Sequence, residues 1–226
     1  MMIKYSVRKS YLSIEGFFAE PAFKLFRENS DWLDDITSCL AEFCTIRGAD
    51  IRVAQDTNPL SNANVEFELH QFNGFSRLSV DKAQIALFDP HCLDLDQISH
   101  LSSSFFSAAK KVLLSSTYGL YFVNFNFHGL LENISPADHT RKFVSKLSHD
   151  NSNSAIGNSV TYYFGQNGLL RHSSVSLDMS GEFPDCVFVN IIMCFDASKI
   201  SSTDLKEPAI AHSTSLLNLI GLDAEL

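Results

Sequence analysis

Between Gly119 and Gly129 the chain follows a period-two pattern: Tyr121, Val123, Phe125 and Phe127 fall on one side, and Asn124, Asn126 and His128 fall on the other. Successive strand residues point to opposite faces, so the segment reads as a β-strand with one apolar and one polar face. A one-residue slip in pairing would turn the apolar set outward, so any fold built on this strand has a fixed register.

A second strand of the same phase lies near the N-terminus. When Gly16 is aligned with Gly129, Leu12 and Ile14 fall on Phe125 and Phe127, while Tyr11, Ser13 and Glu15 fall on Asn124, Asn126 and His128. The elements that follow the two strands also correspond. After Tyr11 to Phe18, helical signals begin at Glu20-Pro21 and at Ser30, the latter segment with the stripe Leu33, Ile36, Leu40 and Phe43 and a stop at Arg47-Gly48. A short strand over Ile51 to Ala54 leads through a polar loop to Val65 to Phe72 and Phe75 to Val80. These two are joined by Asn73-Gly74, a strong hairpin signal. The strand Ala83 to Phe88 and a helix from Asp94 or Asp96 to about Ser115 complete the first half.

In the second half a short helix capped by Ser135 and a polar loop from His149 to Ser159 precede a hairpin turned at Asn167-Gly168. The apolar strand Cys186 to Phe195 and a helix from Pro208 to Ile220 follow. The expected fold is therefore α+β: two β-α-β-β-β-α repeats, about 10–116 and 117–222, in a single compact domain of residues 1–226. They would form a curved, mainly antiparallel sheet or partial barrel with helices on its outer face.

The double strand-helix-hairpin layout resembles the bacterial effector-binding domains related to gyrase-inhibitory and haem-binding SOUL proteins. That resemblance implies a small molecule held in a cleft between repeats. The run from Phe67 to Phe127 is also similar to a sporadically distributed bacterial family of unassigned function, whose Leu-Asp-hydrophobic segment would correspond to Leu177-Asp178-Met179. That family's arginine before a Gly-Leu-Arg-Tyr-like strand is replaced by Tyr118-Gly119-Leu120-Tyr121, and the family implies no activity.

The 17 basic against 26 acidic residues give a formal charge of -9, which opposes nucleic acid and favours cationic ligands or basic partner surfaces. The N-terminus lacks a signal-peptide pattern and no run approaches a membrane span, so a cytoplasmic protein without membrane contact is expected. Five cysteines without Cys-x-x-Cys spacing point to neither disulfides nor zinc.

The candidate ligand contacts are Tyr11, Glu15, Asn124, Asn126 and His128, whose polar faces would converge on the concave side of the sheet, with Glu15 and His128 able to exchange a proton. Glu66, Glu68 and His70 share a strand face, and His172, Ser174, Ser176 and Asp178 contain the residue types of a hydrolase triad. Neither set has the spacing or mutual geometry that metal binding or nucleophilic catalysis needs, and no phosphate-binding glycine loop occurs. The expectation is a non-enzymatic binding protein for a small molecule or peptide, with no catalytic residue, metal or cofactor. The alternative is a protein-interaction module such as an inhibitor, immunity factor or bacterial defence component, with homo-oligomerisation left open.

Overall fold

The computed structural model describes residues 2–22, 31–54, 64–112, 117–143 and 159–223. Glu20 to Ala22 are bend and coil, which corrects the helix expected to open at Glu20-Pro21; the rest of that region, the cap at Ser30, the extension of the long helix to Ser115, Val144, Leu147 and most of the two polar loops lie outside these residues.

Among the described residues nine strands form one curved, unclosed sheet. In chain order they are β1 (Tyr5–Phe18), β2 (Ile51–Ala54), β3 (Asn64–Leu69), β4 (Gly74–Ser79), β5 (Lys82–Phe88), β6 (Tyr118–Leu131), β7 (Val160–Phe164), β8 (Leu170–Met179) and β9 (Cys186–Asp196). The spatial order is β2-β3-β4-β5-β1-β6-β9-β8-β7, and every neighbouring pair is antiparallel. The α-helices among the described residues are α1 (Asp31–Leu40), α2 (Leu95–Val112), α3 (Pro136–Arg141) and α4 (Lys206–Leu219). Among the described residues the first half thus carries one more strand, β2, than the second.

The two alternating strands sit side by side in the middle. Both contain 14 residues, and the shift that takes Gly16 to Gly129 also takes Tyr5 to Tyr118 and Phe18 to Leu131. They pair so that Leu12 faces Phe125 and Ile14 faces Val123, with irregular steps at Val7/Lys9 and Phe17/Phe18. At Gly16 the rings of Tyr118 and Tyr121 lie where a Cβ would go, so only glycine leaves room for them.

Both Asn-Gly signals mark real turns, by different means. Asn73 takes a left-handed conformation (φ 48°) after a single 3-10 turn over His70–Phe72, so β3 ends at Leu69 and not at Phe72. In the second turn Asn167 and Leu170 exchange backbone bonds of 3.0 and 2.9 Å around Gly168 (φ 56°) and Leu169. The expected helix stop at Arg47-Gly48 is corrected: α1 ends at Leu40, and Gly48 opens a 3-10 turn ending at Asp50. Ser135 caps α3, its Oγ accepting from the Asp138 N–H at 3.1 Å.

The helices pack on the apolar face and divide it into two cores. One joins Ile36 and Leu40 of α1 and Ile98, Leu101 and Phe105 of α2 to Val65, Phe67, Leu78, Ile85 and Leu87. The other joins Leu216 and Leu217 of α4 to Phe127, Val175, Leu177, Val189 and Ile191. Each such fully buried side chain contributes about 1.5–3 kcal/mol of transfer free energy.

Candidate functional site

Among the described residues the helix layer does not close over the central strand pair. Leu12, Ile14 and Phe125 point to the helix side at the middle of the sheet, yet all three are only partly buried, with Leu12 and Ile14 at the margin of both cores. The gap is a cavity of about 530 Å³. Its floor is Leu12, Ile14, Val123, Phe125 and Met193; Ile98, Ser99 and Ser102 of α2 form one wall, and Leu205, Ala209, Ile210 and Ser213 form the other. The space exists because both helices present small side chains where large ones would reach the strands. Ser102 takes the turn between Ile98 and Phe106, and Ala209 and Ser213 precede Leu216 and Leu217.

The lining is apolar with few polar groups. Ser102 is turned back onto its own helix, donating to the Ile98 carbonyl at 2.9 Å, and the Ser213 hydroxyl has only the Met193 sulfur at 3.7 Å. His91 also lines the cavity, its Nδ1 2.7 Å from Ser10 Oγ. Lys206, at the start of α4, places Nζ 2.6 Å from Asp96 Oδ1 of α2 and 3.6 Å from Glu207 Oε1. Tyr5 stacks on Phe127, and burial together with the Asp223 carboxylate pushes its phenol up to about 12. Among the described residues the lining holds no carboxylate and no thiol, so it offers neither a carboxylate pair for acid–base work nor a thiolate nucleophile. It can enclose an apolar body by desolvation and orient one end of it.

The five polar candidates lie on the opposite face of the sheet. Tyr11 is paired with Asn126, and Asn126 with Asn190 on its other side; Asn124 faces Ser13. Glu15 is committed to the fold: Oε2 lies 2.8 Å from Lys82 Nζ, and Oε1 accepts from Gln84 Nε2 at 3.0 Å. His128 sits between the rings of Phe183 and Phe188, with Nδ1 2.7 Å from Ser180 Oγ and Nε2 3.7 Å from Glu182 Oε2. Burial draws its pKa down, partly offset by Glu182.

The expected proton exchange between Glu15 and His128 is corrected by this register. Glu15 faces Phe122 and His128 faces Lys9, six positions away along β6, or about 20 Å. An antiparallel pair centred on Leu12 and Phe125 sends matched positions to opposite ends, so Tyr11, Asn124 and Asn126 come together while Glu15 and His128 separate.

The other clusters divide similarly. His70 lies beyond the end of β3, but it meets Glu68 (Nδ1 to Oε1, 3.5 Å) and Asp50 (Nε2 to Oδ1, 3.1 Å), a residue without any signal in the β3 pattern. Three potential metal-ligating atoms here lie within 4.8 Å of one another. Each group already has a protein partner, since Asp50 also accepts the Arg47 N–H at 2.8 Å and Arg52 takes Glu68 at 3.1 Å. The His70 bond and the Arg47 N–H hold the Asp50 carboxyl below its ordinary value.

His172, Ser174, Ser176 and Asp178 make no mutual hydrogen bond among the described residues. His172 packs on Phe122, Ser176 bonds Thr161 at 3.0 Å, and Asp178 accepts the Met179 N–H. The Ser180–His128–Glu182 group, by contrast, does bring three triad residue types together. Yet Ser180 is buried and its Oγ accepts the N–H groups of Glu182 and Phe183 at 3.2 and 2.8 Å, which makes it a clamp on the β8–β9 turn. All five cysteines are free thiols; Cys44, Cys186 and Cys194 are buried, and burial raises their pKa values.

No family model and no curated protein matches this chain. Among solved structures, the crystal structure of Ara h 8.0201 is similar over 94% of this chain and 95% of that one, at 8% identity and a TM-score of 0.18. Likeness at that level carries no argument about this chain, and no family model supports either of the two layout resemblances. No helix among the described residues is long and apolar enough to cross a membrane.

Proposed function

We propose that this chain is a binding protein for a small, largely apolar molecule held between the central strands and helices α2 and α4, in a fold made of two copies of one unit. The observation that carries the reading is the cavity of about 530 Å³ over Leu12, Ile14 and Phe125. That volume lies within the range of small-molecule sites, about 300–1,000 Å³, which are mostly apolar with a few orienting polar groups. The equal length and phase of β1 and β6 support the two-copy reading.

A ligand on the polar face, through Tyr11, Glu15, Asn124, Asn126 and His128, is the competing location. The intramolecular commitments of Glu15 and His128 favour the cavity. Fluorescence of the neutral dye N-phenyl-naphthylamine separates the two. Ala209→Trp, which fills the cavity, is expected to abolish dye binding, whereas the Asn124→Ala/His128→Ala double variant leaves it unchanged. The reverse pattern would move the site to the polar face.

A protein-interaction role has one specific observation in its favour. The outermost strands, β2 and β7, carry Val53 at 60% and Tyr163 at 82% exposure, and sheet edges accept added strands. Sedimentation at increasing concentration, together with pull-down at low salt, tests it: a chain that stays monomeric and captures no stoichiometric partner argues against this role.

A further inference from the structure

The charge of the cavity lining runs against the charge of the chain. Overall the protein is acidic, yet the cavity holds one ammonium, Lys206, one imidazole, His91, and no carboxylate among its described residues. A cationic ligand would therefore find no counter-ion inside. Lys206 is held from its outer side: the side chains of Asp96 and Glu207 are 80% and 83% exposed, while that of Lys206 is 27% exposed and shares the lining with Leu205 and Ala209. Its stem covers apolar surface while Nζ stays near water, as long basic side chains do at such boundaries. An ammonium has three N–H donors, and an exposed single-contact pair such as Lys206–Asp96 is weak and readily exchanged. Long-range repulsion from the net negative charge is screened over about 8 Å at physiological ionic strength, so a charge-assisted contact at Lys206 decides over it.

Resting on the cavity reading above, we propose that the ligand is an amphipathic carboxylate: its apolar chain lies over Leu12, Ile14 and Phe125, and its carboxylate takes the place of Asp96 on Lys206. One ammonium matches a monoanion; a phosphate dianion would require more donors than this end of the cavity supplies. Ser213, whose hydroxyl has only a sulfur partner, gives a bent or branched chain a second polar contact. The Lys206–Asp96 pair joins the first turns of α2 and α4, so its exchange also loosens the boundary that a chain entering between the two helices must pass.

Calorimetric titration with decanoate and with decanol tests this directly. The wild-type chain is expected to bind decanoate about tenfold more tightly than decanol, the factor of one charge-assisted bond. Lys206→Met removes that preference and leaves decanol affinity as it was. Asp96→Asn, which removes the nearer carboxylate and leaves the ammonium only the 3.6 Å contact to Glu207, keeps or strengthens decanoate binding. Equal affinity for acid and alcohol in the wild type, or equal weakening of both by Lys206→Met, overturns the carboxylate assignment while leaving the cavity reading intact. If neither compound binds and N-phenyl-naphthylamine does not bind either, the cavity reading itself fails.

Discussion

Leu12 and Phe125 face each other at the middle of the β1–β6 pair, and both remain partly accessible from the side that carries the helices. Elsewhere on that face comparable residues are closed off, as Leu87 and Phe127 are at 0% exposure. The difference lies in what stands above them: α2 and α4 bring Ser99, Ser102, Ala209 and Ser213 to the walls over the centre beside Ile98 and Ile210, whereas Leu101, Phe105, Leu216 and Leu217 pack into the cores at the sides.

That contrast predicts opposite responses to one change. Leu12→Phe extends into open space and should alter unfolding stability by less than about 1 kcal/mol while reducing dye binding. Leu87→Phe overfills a packed site and should cost about 1–3 kcal/mol. Urea unfolding of the two variants checks this, and a severe loss for Leu12→Phe would mean that the central space is already filled.

Gly74 supplies a backbone test. A Cβ at this position would run into the Ala86 carbonyl oxygen and crowd Leu87, because β4 approaches β5 closely just after the left-handed Asn73. Gly74→Ala should therefore cost about 2–4 kcal/mol, whereas Gly165→Ala, with nothing within 4 Å of the added carbon, should be close to neutral. Thermal melts of the pair decide it.

The alternation in β1 and β6, the Asn-Gly turns and the helix beginning near Asp94 or Asp96 were legible because each depends on residues close in sequence. The boundaries of α1 and β3 were not, since Gly48 and His70 take up 3-10 turns that local composition does not distinguish from a helix stop or a strand end. The cavity was hidden for a different reason. Ser102 and Ser213 are ordinary helix residues by pattern, and only the placement of α2 and α4 over Leu12 and Phe125 turns their small size into a space. Asp50 joined His70 in the same way, through the β2–β3 pairing. The polar face was read correctly as a face, but the antiparallel arrangement of its two strands, which parts Glu15 from His128, belongs to tertiary structure.

Asn190 tests the cost of that face. Its Oδ1 and that of Asn124 are buried and have no hydrogen-bond partner among the described residues. An unpaired buried carbonyl costs about 1–3 kcal/mol, so Asn190→Val, a strand-favouring residue, should raise stability by about 1 kcal/mol or more. A loss of stability instead would mean that the amide is satisfied, and chemical denaturation distinguishes the two.

The pH dependence of stability follows from three histidines. His139 on α3 is 1% exposed; its Nε2–H donates to the Ile220 carbonyl at 3.0 Å, and its Nδ1 is buried without a partner among the described residues. Burial, with Lys142 nearby, lowers its pKa below the ordinary 6.5, against a smaller opposing effect of the Ile220 carbonyl. Burial lowers His128 and His212 likewise. Below pH 6.5 the unfolded chain then takes up protons that the folded chain refuses, so stability is complete above that value and falls as pH drops through it. Each histidine adds a slope of at most about 1.4 kcal/mol per pH unit. Asp196, held down to about 2 by Ser198 and Arg171, contributes its own loss only at much lower pH. His139→Gln retains a donor for Ile220 but cannot titrate. Urea unfolding at about pH 7.5 and about pH 5.5 should therefore show a smaller drop for this variant than for the wild type, and an unchanged drop would assign the effect to His128, His212 or both.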